Sequence, residues 1–581
     1  MSFLGLGGFD WCVLVAYFAA VIYLGVFLGG KKTKNLGDFF VAGGRWGPLV
    51  SFIFVFASAL AGNEAVVVSK GAYISGLAGF WLWGNFIFAT PIYFLFATYY
   101  RRARVYNLAE FLEMRYGAGV AALYSVVAGF ICLLFIGMFL LAVARILGGA
   151  LDFPVQPCIW VIALIVAAYV YSGGMMSTLI TDLLQGLMCL FILGFLFLPF
   201  LWNAAGGFEA LQSRPPETWN FTGPGMELSK VIALCLTTIT GGIAAPWIYN
   251  WIAVSKNEQA ATQCAWAHLW KRVATLMFTL YGILFVILLP NISEDPEMAW
   301  GLAMKAVLPT GAMGLMIATF FAAAMSSTAT YATTSAAMLV DYFYRKIVQP
   351  DLPREQYLTI ARYWVVASIV LAAASTYVIS EIEDYVKLCL SLLCFLGIPI
   401  YFGVAWRRAN RTGMWLSMAL GVGSFLTTYF MPIGPGHFFE NSDAAFSTGV
   451  FVSTSLSLMG MIVGTLWGPA ENAILLNRFY VIMNTPIGDE HRLVKAGISL
   501  PALVDAKLVG PEEEQLRPDI VHELYRQDSQ AKIFGPDSSL ELRREGIPWY
   551  YKGFIRITIA CILLIIGTWL VTRILFVWDW H

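Results

Sequence analysis

The sequence predicts an all-α protein that crosses a lipid bilayer many times. Hydrophobic residues make up 59% of the 581 residues and charged residues 12%, whereas a soluble chain of this length needs more polar surface to cover its core. Apolar runs of about 20 residues recur from end to end, the length that spans hydrocarbon as a helix. Lys and Arg collect in alternate loops, as they do on the cytoplasmic side of membrane proteins. We therefore expect a multi-pass protein of the plasma (inner) membrane, with the lipid bilayer around it.

Fourteen apolar runs are candidate spans, which we number from the N-terminus. No basic residue precedes the first run and this N-terminal segment has no A-x-A cleavage site, so the run is interpreted as a retained helix rather than a signal peptide. The predicted ranges are 9–29, 47–70, 76–100, 118–148, 156–173, 175–202, 229–252, 264–290, 310–343, 360–380, 384–406, 412–431, 447–468 and 553–577.

The basic residues of the loops predict the orientation. One set of alternate loops carries sixteen Lys and Arg, and the other carries only Lys70, Arg214 and Lys305. The positively charged set faces the cytoplasm by the positive-inside rule. With fourteen spans, both termini then lie outside.

The charge distribution does not indicate a nucleic-acid partner, and the motifs do not indicate an enzyme. Lys plus Arg and Asp plus Glu both number 36, and no basic patch stands out. The longest polar stretch, 471–551, is interpreted as a cytoplasmic loop with partial helical structure, and it contains no glycine-rich phosphate loop or catalytic motif. The predicted divisions are a first helix with its loop, a central core of spans two to eleven, peripheral helices, this loop and a last helix: 1–46, 47–406, 407–470, 471–551 and 552–581.

Two spans contain a predicted break. Span two carries ASALAGNE, with Asn63 and Glu64 at mid-membrane depth, and span seven carries TTITGG followed by Pro246. Glu64 could pair with a neighbouring helix for packing, and Pro246 could be an ordinary kink. However, the breaks lie five spans apart, and broken helices at matching positions of two repeats are the best sequence pointer to a transport site.

Span nine is rich in small hydroxyl side chains. Ser326, Ser327, Thr330 and Thr334 share a face with Ala323, because their spacings are three or four residues. Such a face suits close helix packing. Equally, its oxygen atoms suit a hard monovalent cation such as Na⁺. The helix alone leaves both interpretations open.

Several motifs together resemble the sodium/solute symporter family, which includes sodium-coupled sugar, proline and sialic acid carriers. They are YSGGMMSTLITDLLQGLM with Asp182 and Gln185, the SST of span nine, DFFVAGGRWGP before span two and WRRANRTG after span eleven. The fourteen spans and FYVIMNTPIGDEH (479–491) are closest in layout to the sugar-carrying branch. The resemblance covers about residues 9–470. It implies a LeuT-type fold in which spans two to six and seven to eleven form two inverted repeats. Separately, we expect the protein to work as a monomer.

The resemblance also implies a sodium site, with Na⁺ as the coupling ion. Its ligands fall on the backbone carbonyls of Ala57, Leu60 and Ala323 and on the hydroxyls of Ser326 and Ser327. Two further residues, Asp182 and Thr330, fall on the inner sodium release path. A second sodium site needs a hydroxyl where this chain has Ala329, so we expect one sodium ion per solute.

The solute pocket implied by the resemblance falls on Asn63, Glu64 and Lys271. Trp83 and Leu133 stand where sugar carriers have polar residues, so Glu64 and Lys271 could instead pair with each other or hold a zwitterion. The expected function is sodium-coupled import of a small polar organic solute, sugar or sugar-like, by alternating access. The alternatives are an amino-acid or monocarboxylate symporter and a transporter-like sensor.

Overall fold

A computed structural model describes residues 5–292, 295–431, 442–510, 515–530 and 549–577. Within these ranges the chain is helical, without a β-strand, which confirms the predicted all-α class. Ten helices of the described residues are long and apolar enough to cross a membrane, or eleven when the bent pair of span seven counts as one. The count stays below fourteen for two reasons among others. The second half of span two and span three form one continuous segment, 62–103, and two further apolar helices, 48–59 and 155–168, are too short to be counted. Fourteen crossings and outward termini therefore remain predictions.

The predicted first repeat is built from helices with one clear interruption. Span two consists of two helices, and spans five and six share one long helix that bends at Gly174, where φ is +54°. Only glycine suits this conformation, and a Cβ there would lie 2.6 Å from the Phe39 ring. Span one, Gly8–Ile22, and the short helix Leu36–Val41 precede this repeat. Its helices are Pro48–Ala59, Gly62–Ser75, Thr90–Ala103, Leu108–Tyr116, Ala118–Leu151, Val155–Met188 and Phe197–Ala204, with a π-helical turn at Cys189–Leu196.

The predicted second repeat follows the same order. Its first span, span seven, is again divided, and its third, span nine, lies against spans one, two, four and six. The helices are Leu228–Gly241, Pro246–Ala253, Gln263–Leu288, Ala312–Ala336, Arg354–Ser375 and Ile382–Ala405, with the short helix Ala299–Val307 before span nine.

Peripheral helices complete the described chain. Arg411–Phe430 and Ser442–Trp467 pack together as an antiparallel pair, and Trp549–Phe576 packs on span three. The predicted loop contains the helices Ala473–Asn484, Glu490–Lys495, Pro501–Asp505 and Pro518–Gln530. Its residues 511–514 and 531–548 lie outside the described residues. The domain boundaries remain predictions.

Both predicted breaks are present. In span two the helix ends at Ala59, and Leu60 and Ala61 adopt non-helical conformations before the second half begins at Gly62. In span seven Ala245 is extended, and Pro246 starts the second half with a bend of 52°. Proline suits a first helical position because its missing N–H has no intrahelical partner there.

Candidate functional site

The break of span two lies against the hydroxyl-rich face of span nine. Ser327 Oγ donates a hydrogen bond of 3.1 Å to the carbonyl of Ser58, one residue after Ala57. The predicted ligands Ala57, Leu60, Ala323, Ser326 and Ser327 are all buried. Since the helix ends at Ala59, the backbone conformation changes right where two of the predicted carbonyl ligands lie.

Asp182 joins this cluster through a residue that the sequence analysis missed. Ser58 Oγ donates a short hydrogen bond to Asp182 Oδ2, and Thr330 Oγ1 lies 3.4 Å from Ser58 Oγ. Ser58 thus lies between Asp182 and Thr330, because it sits in the last turn of the helix before the break. Ser58 is the hydroxyl within the sequence ASALAGNE, and that position was the signal available.

Two oxygen atoms in this cluster are buried without a hydrogen bond. One is Asp182 Oδ1, and the other is Ser326 Oγ, which lies near Asp182 but makes no bond of good geometry. Among the described residues, no Lys or Arg forms an ion pair with Asp182. A carboxylate and hydroxyls with free lone pairs, enclosed at the end of a helix, suit a hard cation that binds oxygen. The described residues contain no His, Cys, Asp and Glu group able to hold a multivalent metal ion.

A second polar cluster surrounds Glu64. Its Oε2 forms an ion pair of 2.8 Å with Lys271 Nζ, and its Oε1 accepts a short hydrogen bond from Thr275. Arg272 Nη2 lies 3.9 Å from the same Oε1. All four side chains are buried. The ion pair considered from the sequence is thus present, and it belongs to a larger cluster on span eight.

Arg272 is a further residue that the sequence analysis missed. Its guanidinium donates to the carbonyl of Trp83 and to that of His268 at 3.3 Å, and it lies 5.8 Å from the Phe86 ring. Lys271 Nζ lies 5.7 Å from the Trp83 ring. Trp83 therefore contacts both cations, at a position where the resemblance implies a polar residue in sugar carriers. A charged residue inside an apolar run was the signal for Arg272.

The remaining predicted solute residue, Asn63, has a different neighbour. Its Nδ2 lies 3.6 Å from Met138 Sδ, and its Oδ1 is buried without a hydrogen bond. Met138, rather than the half-buried Leu133, is the span-four residue that reaches it. Asn63 thus keeps an unused acceptor close to the break.

Polar groups with unused hydrogen-bonding capacity also lie one helical turn from Lys271. Both ring nitrogens of His268 are buried without a partner, as are Tyr93 Oη and Trp251 Nε1. The His268 ring lies 4.9 Å from that of Tyr93 and 5.5 Å from that of Trp251. Trp251 belongs to the second half of span seven, so both broken helices contribute to this region. Buried polar groups are usually hydrogen-bonded, so the lack of partners here marks an unusual region of the interior.

Comparisons with known proteins bear on the family of this chain. The sequence model of the sodium:solute symporter family matches residues 39–421. The sodium/sialic acid symporter NanT of Aliivibrio fischeri is 26% identical over 449 residues, covering 72% of this chain and 87% of NanT. Sodium/glucose cotransporter 1 of Mus musculus is 21% identical over 472 residues, covering 71% of this chain and 70% of that protein.

Solved structures resemble the fold. A sodium-coupled sialic acid symporter in a substrate-bound, outward-open state superposes with a TM-score of 0.67 at 18% identity, covering 80% of this chain and 99% of that one. The nucleobase-cation-symport-1 family transporter Mhp1, in a closed conformation, gives a TM-score of 0.52 at 15% identity and covers 77% and 99%. These similarities bear on the fold alone, and they agree with the expected LeuT-type arrangement.

The chain belongs to the sodium:solute symporter family. It is a multi-pass membrane transporter whose coupling ion is sodium and whose cargo is a small solute. Members of this family are transporters and not enzymes. The cluster around Asp182 fits that ion, because it combines a buried carboxylate, hydroxyls and a helix break.

Proposed function

We propose that this protein imports a small polar organic solute, sugar or sugar-like, together with one sodium ion by alternating access. The observation that supports it most is the position of two buried polar clusters on either side of the break of span two. The proposal includes fourteen spans with both termini outside, a location in the plasma membrane, the domain divisions given above and a monomeric working unit.

The proposed sodium ligands are the carbonyls of Ala57, Leu60 and Ala323 and the hydroxyls of Ser326 and Ser327. The contact between Ser327 and the Ser58 carbonyl supports this assignment, because it keeps the hydroxyl face of span nine on the helix break. Asp182 and Thr330 line the inner release path in this proposal. The hydrogen bonds that link Asp182, Ser58 and Thr330 support that role, since these residues supply successive oxygen atoms beside the site.

The proposed solute pocket is formed by Asn63, Glu64 and Lys271. Unused acceptors and donors on Asn63 and His268 support a solute with several hydroxyl groups, because such a solute can satisfy both kinds of atom. Alternating access exposes this region to each side of the membrane in turn.

An amino-acid or monocarboxylate symporter is the second candidate, and the charges of the Glu64 cluster favour it. One carboxylate faces two cations, Lys271 and Arg272, at 2.8 and 3.9 Å. A carboxylate on the solute would balance the second cation, and buried charges require such balance.

A competition uptake experiment in proteoliposomes tests the proposal. Wild-type protein is reconstituted in proteoliposomes, and an inward sodium gradient is applied. Uptake of a radiolabelled hexose, amino acid and short monocarboxylate is then compared with uptake under a matched potassium gradient. We expect sodium-dependent uptake that sugars or polyols compete for. Competition by carboxylates alone would favour the second candidate, and equal uptake in both gradients would refute sodium coupling.

A further inference from the structure

An apolar crevice of about 360 Å³ opens beside the break of span two. This volume lies within the range of small-molecule pockets, about 300–1,000 Å³. Its walls come from the first half of span two, from the outer part of span six and from span eight. All its lining residues are apolar or aromatic or cysteine, and they include Phe52, Phe56, Leu60, Leu193, Trp270 and Met277.

The rim of the crevice faces the bilayer. Phe195 is 63% exposed, Trp270 59% and Leu190 41%, whereas Leu60 and Leu193 on its floor are buried. Large exposed apolar side chains on a membrane-spanning helix lie against lipid hydrocarbon. The crevice is therefore continuous with the lipid-facing surface, and its floor reaches the interior of the protein.

Gly194 on span six leaves part of the crevice open. A Cβ at this position would come near only Met277 Cε, at 3.8 Å. The surrounding Cys189–Leu196 is a π-helical turn, a local widening of the helix that recurs at functional sites. Tyr281 Oη donates a hydrogen bond of 2.6 Å to the Leu193 carbonyl, which stabilises the turn.

The floor of the crevice adjoins the helix that supplies the sodium site. Phe56 and Leu60 line the crevice, and between them lies Ala57, a proposed sodium ligand. On the same helix, Ala57 packs so tightly on span six that a Cβ at Gly186 would lie 2.6 Å from its side chain. Contact inside the crevice therefore bears directly on the position of the break.

We propose that an acyl chain of a membrane lipid occupies this crevice and braces the first half of span two against spans six and eight. An apolar cleft open to hydrocarbon is filled by hydrocarbon, because water in it would find no polar partners. The occupied crevice holds the break in the conformation that assembles the sodium ligands. Occupancy then raises the apparent affinity for sodium.

Photolabelling tests occupancy without requiring knowledge of the solute. Full-length protein is reconstituted in phosphatidylcholine vesicles containing a trace of phosphatidylcholine with a diazirine in its acyl chain, irradiated and mapped by mass spectrometry. We expect labels concentrated in 189–195 and 270–278. Gly194→Leu should lower this labelling at least fivefold, because the new side chain fills the crevice.

The matched control is Gly423→Leu, since a Cβ at that exposed glycine of span twelve meets nothing within 4 Å. It should leave the labelling unchanged. Val273→Trp fills the crevice from span eight and provides a second variant if Gly194→Leu does not fold. Labels spread evenly over all exposed helices, or labelling unaffected by the filling variants, would refute the proposal. Displacement of the labelled chain by added sterol, with the sterol bound instead, would refute the acyl-chain assignment.

Sodium binding tests whether occupancy of the crevice raises the apparent affinity for sodium. Binding of ²²Na⁺ is measured before and after detergent delipidation, and then after phosphatidylcholine is added back. We expect delipidation to weaken apparent sodium affinity of wild type and Gly423→Leu at least threefold, reversibly, and Gly194→Leu to respond little. Equal responses of all three proteins would remove the bracing role. Labelling does not depend on sodium. If the proposed sodium site is wrong, the labelling pattern therefore stays intact, and this outcome differs from failure of the acyl-chain proposal, in which the labelling pattern itself is lost.

Discussion

Two buried carboxylates in the same protein have opposite surroundings. Glu64 faces two cations, Lys271 at 2.8 Å and Arg272 at 3.9 Å. Asp182 faces hydroxyl groups, and its Oδ1 has no hydrogen bond. The Glu64 charge is therefore balanced by the protein, whereas no Lys or Arg among the described residues balances a charge on Asp182, which leaves its carboxyl group to an ion or a proton. The comparison teaches that the partners of a buried acid, rather than its depth, indicate whether it stabilises the fold or serves an ion.

The largest expected effect is the loss of stability when the Glu64 carboxylate is removed, compared with removal of the Asp182 carboxylate. Glu64→Gln leaves Lys271 and Arg272 buried without an anion, and breaking a buried ion pair costs about 3–5 kcal/mol. Asp182→Asn removes an unbalanced charge and keeps an acceptor for Ser58. In sodium-free buffer we expect a large fall in apparent melting temperature for Glu64→Gln and little change for Asp182→Asn. Unfolding is measured by tryptophan fluorescence as the temperature rises.

The same measurement in sodium sharpens the contrast. Sodium should stabilise wild type, because a ligand that binds only the folded state raises its stability. That stabilisation should shrink in Asp182→Asn if the carboxylate attracts the ion. Equal melting temperatures of the two variants would contradict the difference drawn between the acids.

The next effect concerns sodium affinity. Ser326→Ala with Ser327→Ala removes two proposed oxygen ligands from a small coordination shell, so apparent sodium affinity should fall tenfold or more, about 1.4 kcal/mol or more in free energy. Folding should survive, because Ala packs well at such a helix interface. The measurement is uptake or ²²Na⁺ binding against sodium concentration.

A matched control for the two serines is Thr333→Ala. The Thr333 hydroxyl bonds the carbonyl of Ala329 on its own helix, at 2.8 Å, so its loss should leave sodium activation unchanged. Wild-type sodium activation in the double serine variant would show that the ligand assignment is wrong.

A smaller effect is expected for Lys271→Met. Glu64 keeps Arg272 at 3.9 Å in this variant, so the protein should lose less stability than with Glu64→Gln. If Lys271 lines the solute pocket, the apparent affinity for the solute should weaken several-fold while sodium activation changes less. Normal solute affinity with poor expression would remove Lys271 from the pocket and leave it a structural partner.

Much of this arrangement follows from local sequence chemistry. The breaks at Leu60 and Ala245 were predictable, because small residues, glycine and proline weaken a helix regardless of its neighbours. Pairing of Glu64 with Lys271 was foreseeable as well, since a charge at mid-membrane depth needs a partner.

Other features depend on tertiary contacts and could not be predicted from the chain alone. Ser58 is one hydroxyl among many until the fold places it against Asp182. His268 is an ordinary buried histidine until Tyr93 and Trp251 approach its ring. The crevice at Gly194 likewise requires Met277 from another helix as its opposite wall.

The smallest expected difference is a factor of two, in the coupling ratio. The oxygen atoms near Asp182 extend along span nine to Thr330, but Ala329 offers only a methyl group, which cannot ligate a cation. Thr328 cannot replace it easily, because one residue along a helix turns the side chain by about 100°. Reversal potentials in proteoliposomes should therefore give one sodium ion per solute.

Ala329→Thr is the companion variant for that ratio. Ala329 is fully buried, so the added atoms require some repacking, and Ala329→Ser supplies the hydroxyl with less volume. If the missing hydroxyl is what prevents a second site, both variants should move the ratio toward two, with Asp182 as the shared carboxylate. Ala329→Val, which matches threonine in shape but lacks the oxygen, should keep a ratio of one. A ratio of two in the wild type would instead mean that Asp182, Ser58 and Thr330 already hold a second ion, and the difference between a release path and a binding site would disappear.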